Sequence, residues 1–406
     1  MNRKAIGASL LLAGTAIGAG MLGMPFVSGV CGYHATLVVM FFCFSLMLAN
    51  LFLLLEATLY CKDPNVNIIG MAREHLSKTW SYICWVSFML LLYSILASYM
   101  SAGGDMISYL FIDKLGIPIN KNWSILIFNI FFGIIILLGV ESIDRVNRIF
   151  MLGLLSAFFI VVYNMFPLSK LSNLSNPGDL IYIPRAIPII TAAFTSHLIL
   201  PSLKSYLSNT KVLRNVLFYG SLIPLFLYLI WQTIVLSIIQ PSGPLSIHVI
   251  SASPQPIYYF FSLLEQKKAT SILIFTTQLF FFCAITTSFL GVLLSLIDFL
   301  KDGLNLRKHS FNNAAKTLGL ALIPPYLFTL TLNAAFTYAL NFAALFIAIL
   351  YAIIPGLVVL KCRDINNHIE YILPGGRVCV HIIILFGTVF AVLSLMSVYN
   401  ILPYAT

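Results

Sequence analysis

Ala13-Gly14-Thr15-Ala16-Ile17-Gly18-Ala19-Gly20-Met21-Leu22-Gly23-Met24-Pro25 lies in the middle of the first apolar segment, which opens just after Arg3 and Lys4 and runs to about Val30. Four glycines in ten residues, followed by a proline, are what a continuous helix avoids. Each glycine costs roughly 1 kcal/mol of helix propensity against alanine, and a backbone group freed in hydrocarbon costs more again. Such a stretch survives in a bilayer where the broken backbone is buried in protein or lines a polar cavity. The other reading is close helix packing through small residues, because the stretch includes small-xxx-small spacing.

Working outward, the chain has 406 residues, of which 60% are hydrophobic and 9% charged, with a mean hydropathy of +0.97. Apolar runs of membrane-spanning length recur from end to end, which reads as an all-α polytopic membrane protein embedded in a lipid bilayer. Eleven spans are expected: 5–28, 33–60, 82–110, 123–140, 147–167, 184–203, 214–238, 270–299, 317–333, 334–360 and 378–402. The first follows basic residues as a signal peptide does, but its glycine-rich core and the spans behind it favour an uncleaved helix. The net charge of +10 does not point to nucleic acid, because the basic residues are sorted by side. With the N-terminus cytoplasmic and the C-terminus periplasmic, seventeen of the 23 Lys and Arg residues fall on the cytoplasmic side, the positive-inside pattern of a bacterial inner membrane. Seven scattered cysteines without a CxxC read as small buried hydrophobes, not as a disulfide or metal framework.

The third span carries Ser94, Ser98, Ser101, Asp105 and Ser108 on one helical face. That face should look into the bundle, either to bond neighbouring helices or to line a site that includes Ser98 and Ser101. An intramembrane carboxylate is a functional candidate by default: an ion at the bilayer centre costs at least about 2.5–3.5 kcal/mol on insertion scales. Asp105 and Glu56, at the end of the second span, are therefore candidates to carry a coupled proton. Val140 to Arg148 reads as a short, solvated, charged turn. The sixth span repeats the anomaly of the first, with Pro184, Pro188 and Pro201 bracketing Thr191-Ala192-Ala193-Phe194-Thr195-Ser196-His197. Two interrupted helices five spans apart point to a transporter site between inverted repeats. The expected halves are 1–167 and 184–360, with 378–402 as an additional helix. The loop Gln240–Ala269 holds an apolar patch too short to span, Ile257 to Leu264, read as a re-entrant lid or an interfacial aromatic belt. The eighth span places Thr276, Cys283, Thr287, Gly291, Ser295 and Asp298 on one face.

Catalysis has little support. There is no HExxH, GxSxG or Walker loop, and the seven histidines lack ligand spacing. No cofactor is expected beyond a coupling ion, H+ or Na+. A broken helix offers unpaired N–H groups at the positive N-terminal end of its second half, which suits a carboxylate, and carbonyls that suit a cation. On this reading Gly14, Thr15 and Gly18 line the substrate site from the first break, and Phe194 and His197 from the second.

The stretch from Gly14 to Leu22 with Pro25 resembles the opening signature of the bacterial aromatic amino acid permeases, the tyrosine and tryptophan permeases. So do His197…Pro201-Ser202…Ser205-Tyr206, Thr287-Ser288-Phe289-Leu290-Gly291-Val292…Asp298, and Gly375-Gly376-Arg377, and the likeness covers essentially the whole chain. It implies a leucine-transporter-like fold, a 5+5 inverted repeat with helices 1 and 6 broken, and import of an aromatic amino acid with a coupling ion. Carried over, it implies that the Ala19 and Gly20 amides hold the substrate carboxylate. The Gly14 and Ile17 carbonyls and the Thr287 and Ser288 hydroxyls would form a sodium site, and His197 would stand beside the substrate ring. The chain departs from the family pattern at Phe194-Thr195-Ser196 and at Lys204. It also lacks the span-five lysine of proton-coupled relatives, which leaves the ion open. The expected function is ion-coupled import of tyrosine or another aromatic amino acid. A symporter of another neutral amino acid, an uncoupled channel or receptor, and an intramembrane enzyme are the alternatives.

Overall fold

Apolar runs without water must satisfy their backbone groups internally, and the chain does so as helices. The computed structural model describes residues 3–63, 66–137, 140–207, 209–303, 311–332, 335–364 and 369–403, and no strand occurs among them. The first segment folds as α1 (Arg3–Ala16) and α2 (Ala19–Ser28), bent by 50° at the glycines. Then come α3 (Tyr33–Leu59), the short α4 (Ile68–His75), α5 (Lys78–Tyr109), α6 (Lys121–Leu137), α7 (Val140–Met165) and α8 (Leu171–Leu174). The sixth predicted span is α9 (Ile183–Ala193) and α10 (Leu200–Tyr206), separated by a break. It is followed by α11 (Thr210–Ile238), α12 (Ile247–Ala252), α13 (Pro256–Gln266) and α14 (Ser271–Gly303). Last are α15 (Phe311–Thr331), α16 (Ala335–Ala348), α17 (Ile354–Cys362), joined to α16 by a π turn, and α18 (Gly376–Val398).

Among the described residues seven helices are long and apolar enough to cross a membrane, and the bent pair makes an eighth. Each of the other three expected spans also holds a helix (α6, α7 and α15), but α6 and the apolar part of α7, Gly153–Leu168, are shorter. The expected turn at 140–148 is instead the start of α7. The expected junction of spans nine and ten, at 333–334, lies outside the described residues. Outward faces carry bare apolar side chains such as Phe159, Phe226 and Leu385, as contact with lipid requires.

The centre of the bundle is α5, which packs against α6, α14 and α16, while α1 lies on α11 and α2 on α9. Asn67 and Ser77 cap α4 and α5 by accepting backbone N–H bonds. The polar face of α5 does turn inward: Ser98, Ser101, Asp105 and Ser108 are buried. On α14 the expected face is only half internal, since Cys283 and Thr287 are buried whereas Gly291, Ser295 and Asp298 are exposed.

Glu56, expected as a candidate to carry a coupled proton, is bonded on both of its oxygens. Arg363 donates from Nε and Nη2 to its two oxygens at 2.7 Å each, and the Leu373 N–H donates at 2.7 Å. The pair joins α3 to the chain beyond α17 and is closed off from solvent. Removing one partner of a buried pair leaves an uncompensated charge, costing about 3–5 kcal/mol, whereas replacing both with apolar residues costs little. Arg363→Met should therefore lower the thermal unfolding temperature sharply, and the double variant Glu56→Leu, Arg363→Met should regain most of the loss. Equal destabilisation by the single and double variants would show that the pair is not what holds this end.

Candidate functional site

The first break begins where α1 ends at Ala16. Gly18 is fully extended, at φ −160° and ψ −156°, and no side chain caps α2. The first N–H groups of α2 thus lack intrahelical partners, at the positive end of its dipole. The second break follows Ala193, where Phe194 and Thr195 bond back to Thr191 and Ala192 before the chain restarts at His197. The two breaks touch. A side chain on Gly20 would place its Cβ 3.1 Å from Ala193 Cα, so the small-residue reading of this stretch and the broken-helix reading both hold. Tyr228 of α11 joins them: its hydroxyl lies 2.6 Å from the Ala16 carbonyl and 2.9 Å from the Ala193 carbonyl. One buried hydroxyl is therefore shared between the C-terminal ends of α1 and α9.

On the other side of Gly18 stand Ser288 and Tyr99. A Cβ there would meet Ser288 Oγ at 2.8 Å and the Tyr99 hydroxyl at 2.9 Å. Ser288 points its hydroxyl at the Ile17 carbonyl, 3.4 Å away. Of the four expected ion ligands, Ile17 and Ser288 meet here, while Thr287 donates to Cys283 O of its own helix at 2.8 Å and Gly14 is half-buried. Thr15 is turned out of the bundle, exposed and bonded to Leu12 O, because it lies on the outer face of α1. Ser98 donates to Ile95 O in its own helix, and buried Ser101 Oγ forms no hydrogen bond.

Phe194 packs against Phe44 and Tyr228, with ring centroids 5.5 and 5.2 Å apart, and so covers the shared hydroxyl. His197 is buried and stacks on Tyr351 at 5.1 Å. It borders a cavity of about 90 Å³ shared with Leu54, Thr58, Asn67 and Met71. Small-molecule sites usually measure ~300–1,000 Å³, so this space is too small for an amino acid as it stands.

Asp105 also has a partner. Lys121 Nζ lies 3.0 Å from Oδ1 and Gln255 Nε2 3.3 Å, and Lys121 donates as well to the Pro254 carbonyl. Its other oxygen, Oδ2, has no hydrogen bond. Nearby, Glu265 of α13 accepts from the Tyr109 hydroxyl and Lys114. Burial opposes its ionisation, but these two bonds prevail and hold the carboxyl below the usual glutamate range. Between the ties, Ile257, Phe260, Phe261 and Leu264 are fully buried, with Phe260 close to Trp231 and Phe281 and Phe261 close to Phe281. The patch at 257–264 is thus a helix packed into the bundle and not an interfacial belt.

Sequence reading missed Tyr228, Tyr99 and Lys121. The two tyrosines sit in apolar spans where nothing in spacing separates a bridging hydroxyl from an ordinary aromatic. Lys121 looked like a loop charge.

The family model described as the tryptophan/tyrosine permease family matches residues 1–394. The chain is 31% identical, over 99% of both chains, to tyrosine-specific transport system 1 of Haemophilus influenzae. It is 26% identical to a tryptophan-specific transport protein of Pseudomonas aeruginosa, over 98% of this chain and 96% of that one. Both are named as transport proteins and not as enzymes. In shape it is similar to MhsT, crystallised with L-phenylalanine, at a TM-score of 0.61 and 15% identity, covering 98% of this chain and 99% of that one. That likeness speaks to fold alone: an all-helical, multi-pass membrane protein of the leucine-transporter-like class, its first and sixth spans broken.

Tyr228→Phe removes the shared donor and leaves two buried carbonyls short of it, a loss of about 1–3 kcal/mol. The variant should unfold at lower temperature than the parent, whereas Tyr163→Phe, at an exposed position, should not. Equal stability of Tyr228→Phe and the parent would mean that the hydroxyl does not join the helix ends.

Proposed function

Because this chain belongs to the tryptophan/tyrosine permease family, we propose that it imports an aromatic amino acid, tyrosine first, across a bacterial inner membrane by ion-coupled alternating access. The observation that carries this reading is the meeting of the two helix breaks at Gly20, Ala193 and Tyr228. In a chain whose relatives are named for tyrosine and tryptophan transport, that point supplies both charges a zwitterion needs. The Ala19 and Gly20 amides, at a positive helix end, take the carboxylate. The carbonyl ends of α1 and α9 suit the ammonium, with Tyr228 already among them.

Sodium fits beside this point, at the Ile17 carbonyl and Ser288 hydroxyl, with the Gly14 carbonyl and Thr287 hydroxyl completing the set after a rotation of Thr287. A proton fits Asp105 instead, whose Oδ2 has no bond. Asp105 is six residues from Tyr99, about 9 Å along the helix at ~1.5 Å per residue. Residues 1–167 and 184–360 act as the two opposed repeats, and 378–402 lies outside them. The Glu56–Arg363 tie faces the cytoplasm and the Asp105–Lys121 tie the periplasm, consistent with the basic residues gathered on the first side. Each side opens in turn while the other holds.

Counterflow of labelled tyrosine in proteoliposomes, followed by uptake with sodium and proton gradients clamped separately, tests this. Accumulation above equilibrium under one gradient alone is expected, together with at least about a tenfold loss in Gly18→Ala, roughly 1.4 kcal/mol. Gly291→Ala, where an added Cβ meets nothing within 4 Å, should transport as the parent does. Uptake that never exceeds equilibrium would make the protein a channel. Accumulation of a small neutral amino acid without competition from tyrosine would overturn the substrate assignment.

A further inference from the structure

The seven cysteines and seven histidines look scattered along the chain, yet three segments bring several together at the Glu56 end of the bundle. Cys61 follows α3, Glu74 and His75 end α4, and Cys362 ends α17. One ligand atom each from Cys61, Glu74 and His75 lies within 4.8 Å of the others. Cys362 Sγ stands 3.3 Å from His75 Nδ1. The other ring nitrogen, Nε2, is buried without a hydrogen bond and faces Glu74 Oε1 at 3.9 Å. A buried imidazole nitrogen with no partner, beside a thiol and a carboxylate, is an unmet coordination demand.

We propose that Cys61, Glu74 and His75 Nε2 form a site for a thiophilic divalent cation of the zinc class, with Cys362 bonding the far ring nitrogen. Sulfur, imidazole and carboxylate are zinc's ordinary donors, and a ligating histidine is commonly oriented through its other ring nitrogen. Bonds of about 2.0–2.3 Å hold tetrahedral ligand atoms roughly 3.3–3.8 Å apart, so small side-chain rotations close the set. With Nδ1 bonded to Cys362 Sγ, the Nε2 lone pair is the one turned toward Cys61 and Glu74. Metal entry forms a Zn–S bond at Cys61 in place of its S–H bond and releases the thiol proton to solvent. Three protein ligands leave a fourth position for water.

The site joins the ends of α3, α4 and α17, and Cys362 adjoins Arg363 of the Glu56 pair. A bound cation therefore staples the same closure. That consequence rests on the transport reading given above; the site itself does not.

Zinc binding to the purified full chain in nanodiscs, measured by competition with a chromophoric chelator, tests the site without reference to transport. One saturable equivalent is expected. Zinc should also shield Cys61 from maleimide, and cobalt(II) should show a sulfur-to-cobalt absorption band. Cys61→Ser and His75→Ala should each weaken binding by more than about tenfold, and Cys362→Ser by about tenfold, as loss of an orienting partner does. No saturable binding to the parent, or undiminished binding in the triple variant Cys61→Ser, Glu74→Gln, His75→Ala, would overturn the site. Zinc should also slow uptake in the parent but not in Cys61→Ser. Stoichiometric binding with undisturbed uptake would keep the site and refute the staple.

Discussion

A backbone group freed inside a bilayer has no water to turn to, and the two helix breaks of this chain create several such groups at one depth. The fold answers by placing the breaks against each other and lending them a donor from a third helix. The Tyr228 hydroxyl reaches the carbonyls of both Ala16 and Ala193, but it carries one proton and can satisfy them only by sharing. The first turn of α2 lies beside them without a side-chain cap, its Met21 N–H bonded to the Gly18 carbonyl and the Ala19 and Gly20 N–H groups ahead of it at the positive end of the helix. The junction is therefore held together while remaining polar and incompletely bonded, the condition in which a small zwitterion gains most from entering.

The rest of the bundle closes over that junction at both ends of α5. A helix of 32 residues is roughly 48 Å long at ~1.5 Å per residue. The Glu56–Arg363 pair lies toward its start and the Asp105–Lys121 pair near its finish. Between them the space beside His197 measures about 90 Å³. On the transport reading proposed above, a chain tied at both ends around so little room would pass a substrate when one tie parts.

What could be read from sequence was whatever depended on local chemistry. Glycines, prolines and apolar period placed both breaks, because each acts on its own backbone. The inward face of α5 followed from helical spacing, and Ser98, Ser101 and Asp105 are buried as that spacing required. What could not be read was pairing across the fold. Glu56 and Arg363 stand 307 residues apart, so a buried carboxylate looked solitary when its partner was assigned to a loop. Lys121 hid the same way from Asp105. On α14 the regular spacing of polar residues was real, but a different face, with Leu293, Leu296 and Leu300, turns inward there and leaves Ser295 and Asp298 exposed. Thr15 failed for a related reason: a broken helix keeps two faces, and spacing does not say which one meets the break.

The two ties are unequal in a way that bears on which end yields first. Glu56 has both oxygens bonded, by a two-pronged guanidinium and a backbone N–H, and Arg363 also donates to the Leu373 carbonyl. Fully bonded pairs of this kind lose several contacts together when they part, and the exposed charges must be rehydrated in a single step. Asp105 has its bonds on one oxygen only, and its cation, on a flexible stem, shares itself with the Pro254 carbonyl. An ammonium on four methylenes can follow a moving carbonyl while keeping one bond, whereas a planar fork is pre-organised for one geometry in which both of its bonds are made. On the transport reading, the Asp105 end, with bonds to one oxygen only, is the end expected to part first, and the Glu56 end, bonded on both oxygens, the one expected to hold longer. The choice of lysine at one end and arginine at the other thus makes the two ties unequal in the number and geometry of their bonds.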